Sequence, residues 1–297
     1  MRLKAAALIL ALCGAADSWA DVRTEIRCQS ALGDLIYVDE HVASGECIGA
    51  IRDDERNATW STTAYADKGV QKLVASANSY GVDVYTFSRA FVADDLTLMP
   101  VDPSLIGRGA AIYFQAPSLT VSTFGEAHMP LPPEVYADGN GFTEVHASFT
   151  YSMYSNAMGY AQGQRVSTVQ RVGADVFEVS REEGPPLQDF VWGVTIGDPF
   201  DLHIYVDAIS AVQDPLTHGP VGVATVNAGN SAYWGGVSRV VLDDGTTFDY
   251  SLTSSSGFDW GKSYIPNISA PVPEPAPILM GLIGMAALVA RRLQLRT

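Results

Sequence analysis

The sequence predicts an all-β protein: a two-sheet antiparallel sandwich, jelly-roll-like, framed by an N-terminal signal helix and a C-terminal hydrophobic helix. Three observations predict it. Segment after segment alternates apolar and polar residues with period two, the period of a half-buried strand. Turn signals recur between those segments, as in Asp138-Gly139-Asn140-Gly141, Gly184-Pro185-Pro186 and His218-Gly219-Pro220. The interior shows no long stretch with the 3.6-residue period and caps of a helix. Without such helices a parallel α/β layer cannot be covered.

The N-terminus comes first. Arg2 and Lys4 precede an apolar run over residues 5–13, and Ser18-Trp19-Ala20 has the small-x-small form that signal peptidase cuts. Residues 1–20 therefore read as a signal peptide, removed before Asp21; the run is too short to span a bilayer. Residues 21–262 read as the sandwich. Strands are expected at 59–65, 71–77, 83–92, 111–114, 119–123, 143–151, 190–195, 200–208 and 222–227. In 200–208, Phe200, Leu202, Ile204 and Val206 share one face and His203 falls on the solvent side. Two hairpins are expected. One joins 165–172 to 175–180 through Gly173-Ala174. The other joins 237–242 to 246–252 through Asp243-Asp244-Gly245. Residues 263–271 read as a linker, and 254–257 and 266–271 have the Ser- and Pro-rich character of one.

The last segment, 272–297, has three parts. Val272-Pro273-Glu274-Pro275 is followed by an apolar run over 276–290, then by Arg291-Arg292 and Arg296. As a helix the run would be about 22 Å long, short of a bilayer core of about 30 Å. Arginines after it would hold that end on the cytoplasmic side.

This tail resembles the PEP-CTERM sorting signal, on Pro273, Glu274 and Pro275, the apolar run, and Arg291 with Arg292; residues 293–297 extend past the usual basic end. The resemblance covers about the last 26 residues. It implies recognition and cutting near Pro-Glu-Pro by exosortase, a membrane-embedded cysteine transpeptidase. It also implies an exopolysaccharide-secreting Gram-negative host and a final place on the cell surface or in the extracellular matrix. The body is similar to the β-sandwich passenger domains found ahead of such tails. The residues carrying that likeness are Ala64-Tyr65-Ala66-Asp67-Lys68-Gly69-Val70-Gln71-Lys72-Leu73, Trp234-Gly235-Gly236-Val237 and Ser254-Ser255-Ser256-Gly257-Phe258-Asp259-Trp260. It implies a fold and little chemistry.

Composition narrows the function classes. The chain carries −15 formal charge; taking away the two end segments, with five basic and two acidic residues, leaves −18. Such a body repels nucleic acid and anionic lipid. Cys13 leaves with the signal peptide, so Cys28 and Cys47 remain as an even pair in an oxidising compartment and are expected to form a disulfide.

Catalytic motifs are absent. His41, His128, His146, His203 and His218 are scattered, with no His-x-His or His-Glu-x-x-His. There is no Gly-x-Ser-x-Gly, and Gly107-Arg108-Gly109 lacks the third glycine of a dinucleotide loop. A glycosidase needs two carboxylates facing one cleft. Glu178, Glu182 and Glu183, or Glu126 and Glu144, supply candidates without anything that pairs them. No cofactor is implied, unless Ca²⁺ binds hard oxygen clusters: Asp243, Asp244 and Asp249 first, then Asp53-Asp54-Glu55 and Asp94-Asp95. Of the tryptophans, Trp234 and Trp260 are the candidates for stacking on sugar, being least tied to strand alternation.

The expectation is a non-enzymatic surface or matrix protein associated with secreted polysaccharide. Its processing partners would be signal peptidase and exosortase, and it would touch the membrane through its tail before processing. Two alternatives stand beside it: a polysaccharide-acting glycosidase or lyase, and a structural adhesin without a specific ligand. A cleft with two near carboxylates would favour the enzyme, an exposed row of Trp or Tyr the binder, and neither the adhesin.

Overall fold

The computed structural model describes residues 21–30, 36–40, 44–52, 56–128, 142–156, 159–173, 177–214 and 220–266. The chain divides into two compact units, 1–265 and 266–297, and every described strand lies in the first. The signal peptide and the sorting tail, with Pro273, Glu274, Pro275, Arg291 and Arg292, lie outside the described residues.

The described residues are all-β. In chain order the strands are β1 (Asp21–Ser30), β2 (Ile36–Glu40), β3 (Ser44–Arg52), β4 (Asn57–Asp67), β5 (Val70–Tyr80) and β6 (Val84–Pro100). Then come β7 (Gly109–Phe114), β8 (Ser118–Leu119), β9 (Ser122–His128), β10 (Phe142–Ser155), β11 (Tyr160–Gly173) and β12 (Phe177–Glu183). The last are β13 (Phe190–Thr195), β14 (Pro199–Gln213), β15 (Val221–Tyr233), β16 (Val237–Leu242) and β17 (Tyr250–Ser254). All the pairings are antiparallel. An eight-stranded sheet runs β12-β11-β10-β14-β6-β1-β2, with β17 also on β6. A six-stranded sheet runs β3-β4-β5-β15-β8, with β9 also on β15. A small third sheet runs β13-β7-β16.

Strict alternation produces this arrangement. Over 200–208 of β14 the buried residues are Phe200, Leu202, Ile204, Val206 and Ala208, as period two requires, and the alternation ends where Ser210, Ala211 and Val212 are all buried. Across the sandwich, Leu73, Ala75 and Ala77 of β5 and Ala224 and Val226 of β15 close the same core from the six-stranded sheet. The third sheet adds an aromatic cluster at one end. Phe114, Phe190 and Trp192 lie with centroids 4.9–5.5 Å apart, and Trp192 meets Phe200 of β14 edge-on at 5.8 Å. Cys28 of β1 and Cys47 of β3 are disulfide-bonded and buried, joining the two large sheets.

The expected strands are present, most of them longer than the alternation predicts. The segment 119–123 is a correction, since it splits into β8 and β9. β11 pairs antiparallel with β12, as the expected hairpin requires, while residues 174–176 lie outside the described residues. The hairpin through Asp243-Asp244-Gly245 is a correction. The turn closes, with Gly245 N donating to Leu242 O and Leu242 N to Thr246 O, but past one bridge between Val241 and Thr247 the strands part. β17 pairs instead with β6, setting Tyr250 opposite Pro100. Strands β1 to β3 are not predicted by the alternation. Only Thr24, Ile26 and Cys28 of β1 are buried, and Arg23, Glu25 and Arg27 alternate with them, so the strand carries too little apolar signal.

Candidate functional site

The six-stranded sheet turns a polar face outward, and one feature breaks it. Strand β15 pairs residue by residue with β5 until Ala228 meets Leu73, then resumes only where Ala232 meets Gln71. The extra residues form a β-bulge, which bends a strand away from its neighbour. Gly229 sits in it: its N–H donates to Asn227 Oδ1 at 3.0 Å, and a Cβ there would press on Val74 Cγ2 at 3.3 Å. Lys72, between Gln71 and Leu73, is therefore left without a β15 residue opposite.

A groove of about 540 Å³ opens at this place. It is lined by Ser44, Gly45 and Glu46 of β3, Thr63, Ala64 and Tyr65 of β4, Lys72, Leu73 and Val74 of β5, and Gly229. Register fixes its order: Ser44, Tyr65 and Lys72 lie in one cross-strand row, and Glu46, Thr63 and Val74 in the next. Tyr65 is 36% exposed, and its hydroxyl donates to Asp67 Oδ2 at 3.2 Å. Partial burial, then the nearby Asp67 carboxylate, raise its pKa, so the phenol keeps its proton. Among the described residues, no ion pair or hydrogen bond engages the side chain of Glu46 or Lys72. The groove thus offers a ring, a cation, a carboxylate and hydroxyls within three adjacent strands, a set suited to a polyhydroxylated ligand.

A smaller pocket of about 290 Å³ lies at one end of the eight-stranded sheet, lined by Asp83, Phe142, Glu144, Gln213 and Asp214. Asp83 Oδ1 accepts from Asp214 N at 2.9 Å. Burial raises the Asp83 pKa, the hydrogen bond from Asp214 N opposes this, and the Asp214 charge adds to it. Glu144 is taken up by Arg171 Nε at 2.5 Å.

The residues singled out from sequence fare differently. Trp234 and Trp260 are a correction: they are 1% and 0% exposed and cannot stack on sugar. Their rings meet edge-to-face at 5.4 Å, and Trp234 Nε1 donates to Trp260 O at 2.7 Å. The glycines after Trp234 serve close packing. A Cβ at Gly235 would lie 2.4 Å from Gln115 O, and one at Gly236 would lie 2.6 Å from the Lys262 backbone. The stretch 254–257 is no linker, because Ser255 and Ser256 hydrogen-bond the buried Asp94. The chain stays packed as far as Tyr264, whose ring stacks on Phe258 at 4.7 Å.

The calcium candidates do not converge. Asp244 Oδ1 accepts from Thr246 N, its Oδ2 meets Arg108, and the Asp243 carboxylate lies against Gly109. These two and Asp249 are all exposed, and no group of three or more metal-ligating side chains occurs among the described residues. Asp53-Asp54-Glu55 lie outside the described residues. Glu178, Glu182 and Glu183 are exposed along β12, and Glu126 and Glu144 fall on different sheets. His203 lies on the outer face as expected, its Nε2 3.0 Å from Asp201 and its ring stacked on Tyr154 at 4.8 Å.

Sequence reading does not single out Tyr65, Lys72, Glu46 or Thr63 as a site. The available signal is Ala228-Gly229-Asn230, a glycine inside an alternating strand, which marks a bulge.

No family model matches the chain, and no curated protein matches it. Two solved structures that the chain matches are of the VP2 protein of infectious bursal disease virus in T=1 particles, one of them a mutant. They are 11% and 12% identical, covering 78% of this chain and 81% of theirs, and both have a TM-score of 0.09, too low to bear on fold or function.

Proposed function

We propose that the chain is an exported, non-enzymatic surface or matrix protein that binds secreted polysaccharide in the groove beside Tyr65. The observation that carries the reading is the groove itself, where a partly exposed ring lies between an unengaged carboxylate and an unengaged ammonium. Sugars are held by one ring face with a few convergent polar groups around it, and shallow grooves suit long chains. The body charge of −18 favours a neutral polysaccharide, or an acidic one bridged by Ca²⁺.

Export and sorting belong to the same reading. The signal peptide over 1–20 and the tail over 272–297, with Pro273, Glu274, Pro275, Arg291 and Arg292, would hand the chain to signal peptidase and then exosortase. The protein would stay briefly in the inner membrane and then pass to the surface. The jelly-roll-like architecture is proposed with it. The consecutive strands β5 and β6 pass from one sheet to the other, and β14 and β15 run beside them.

One observation favours a second reading, a glycosidase or lyase: the pocket holding Asp83, Glu144 and Asp214, with the Asp83 pKa raised.

The test is binding of residues 21–271 to exopolysaccharide from the native host, with and without Ca²⁺. Saturable binding that Tyr65→Ala abolishes supports the groove, and loss on chelation places Ca²⁺ in it. Shortened sugar chains would replace the reading by the enzyme. No binding with chains intact would leave a structural adhesin. For sorting, Glu274→Ala should leave an uncut, membrane-bound form, and normal release of that variant would remove the exosortase step.

A further inference from the structure

Strand β12 ends the eight-stranded sheet. Among the described residues it pairs with β11 alone, and its seven residues are all exposed. Phe177 is 76% and Val179 49% exposed. Register sets them opposite Val172 and Gln170 of β11, on the same face as Thr168, whose Oγ1 meets Thr123 of β9 at 2.9 Å. Phe177, Val179 and Arg181 therefore overhang on the side of the six-stranded sheet. The strand contains no proline, glycine or bulge, and its register with β11 is unbroken from Phe177 to Glu183. Proteins usually blunt such an edge, because its free N–H and C=O groups template a further strand.

We infer that β12 pairs antiparallel with β12 of a second copy of this chain, with Val179 on the two-fold axis. A symmetric antiparallel pair has its axis normal to the sheet, so residues facing each other share a face and one residue faces itself. The charges on the strand select which. Centring on Ser180 sets Glu178 against Glu182 twice. Centring on Glu178, Arg181, Glu182 or Glu183 sets that charge against itself, and centring on Phe177 leaves Phe177 alone paired within the strand. Like charges directly opposite are unfavourable. Centring on Val179 sets Val179 on Val179, Phe177 against Arg181, and Glu178 against Ser180. That register buries both exposed apolar side chains and gives each arginine an aromatic face. The acidic residues thus guard the edge against other registers while leaving this one open. Gly184-Pro185-Pro186 ends the strand and stops the pairing from extending.

The register makes a positional test. Cysteines on the axis would face each other at a cross-strand Cα spacing of about 4.5–5.5 Å, inside the range a disulfide spans. The full chain is purified in detergent with Val179→Cys, Ser180→Cys or Arg181→Cys and oxidised mildly, and dimers are read on a non-reducing gel. Val179→Cys should cross-link in high yield, and the other two should stay monomeric. In sedimentation, the wild-type chain should show a concentration-dependent dimer that Val179→Lys abolishes, with the circular dichroism of both unchanged. Cross-linking strongest at Ser180→Cys would overturn the register. A wild-type chain monomeric at every concentration, with no cross-link at Val179→Cys, would overturn the pairing.

Discussion

The indole nitrogen of Trp260 donates to Asp94 Oδ2 at 2.7 Å, with both residues shut off from solvent. Asp94 lies in β6, and the same carboxylate accepts Ser255 Oγ at 2.6 Å, Ser256 N at 3.2 Å and Ser256 Oγ. A buried carboxylate is tolerable only when its lone pairs are met, and here one segment, 255–260, meets them. Asp94→Asn keeps the shape but turns an NH₂ group toward donors. The expected loss is about 2–4 kcal/mol, the cost of leaving buried donors without acceptors. Thermal melting should fall by about 2–4 °C per kcal/mol in a chain of this size. Limited proteolysis should cut near residues 254–264 before the rest. A variant that melts like wild type would mean that the segment is held by Trp260 packing alone.

The Cys28–Cys47 bridge closes a loop with a sequence separation of 19. Loops of that size lose entropy in the unfolded chain worth about 3 kcal/mol on closure. Replacing both cysteines by alanine should lower stability by about that amount. Reducing agent should lower the wild type to the same level and leave the double variant unchanged. Equal sensitivity of both proteins to reductant would show that the bridge contributes nothing.

Asp83 supplies a pH test whose sign follows from its environment. Its folded pKa is raised, chiefly by burial, so the folded state holds the proton where the unfolded state has released it. The ionised side chain therefore opposes folding. That cost is complete above the folded pKa and fades as pH falls toward the unfolded value of about 3.9. Asp83→Asn removes the charge and keeps an oxygen for Asp214 N. It should be more stable than wild type at neutral pH, with the gap closing in acid. A gap that stays constant with pH would mean that the carboxylate charge is not the cause.

How far the sequence can be read depends on which force sets each feature. Strand β14 is legible because Phe200, Leu202, Ile204 and Val206 put its burial pattern into the chain. Strand β1 is not, because the disulfide and its place between β6 and β2 hold it more than its few apolar residues do. The turn at Asp243-Asp244-Gly245 is local and legible, while the partner of the next strand is a tertiary choice, β6 over β16. Trp234 and Trp260 show the same divide. Their aromatic character is plain, but Trp260 is seated by Asp94, distant in sequence, and Trp234 by Trp260. The groove is hidden for a related reason. Tyr65 and Lys72 become neighbours only through β4–β5 pairing, and they stand open only because β15 bulges across from them.

Gly236 and Gly245 share a backbone conformation, with φ at +81° in both, yet differ in surroundings. Nothing lies within 4 Å of where a Cβ on Gly245 would stand, whereas one on Gly236 would overlap Lys262 C and Ser263 N at 2.6 Å. Alanine at Gly245 should therefore cost only the left-handed conformation, about 1–2 kcal/mol. Alanine at Gly236 carries that cost and must also push the 261–263 backbone off its seat. Gln115 N donates to Gly236 O and Val237 N to Gly261 O, so the displacement would strain both hydrogen bonds. The expected additional loss is about 2 kcal/mol or more, in the range of overpacked interiors. Denaturant titrations of the two variants read the difference directly. Equal losses would show that the 261–263 segment yields freely, and that Trp234 and Trp260 do not depend on its position.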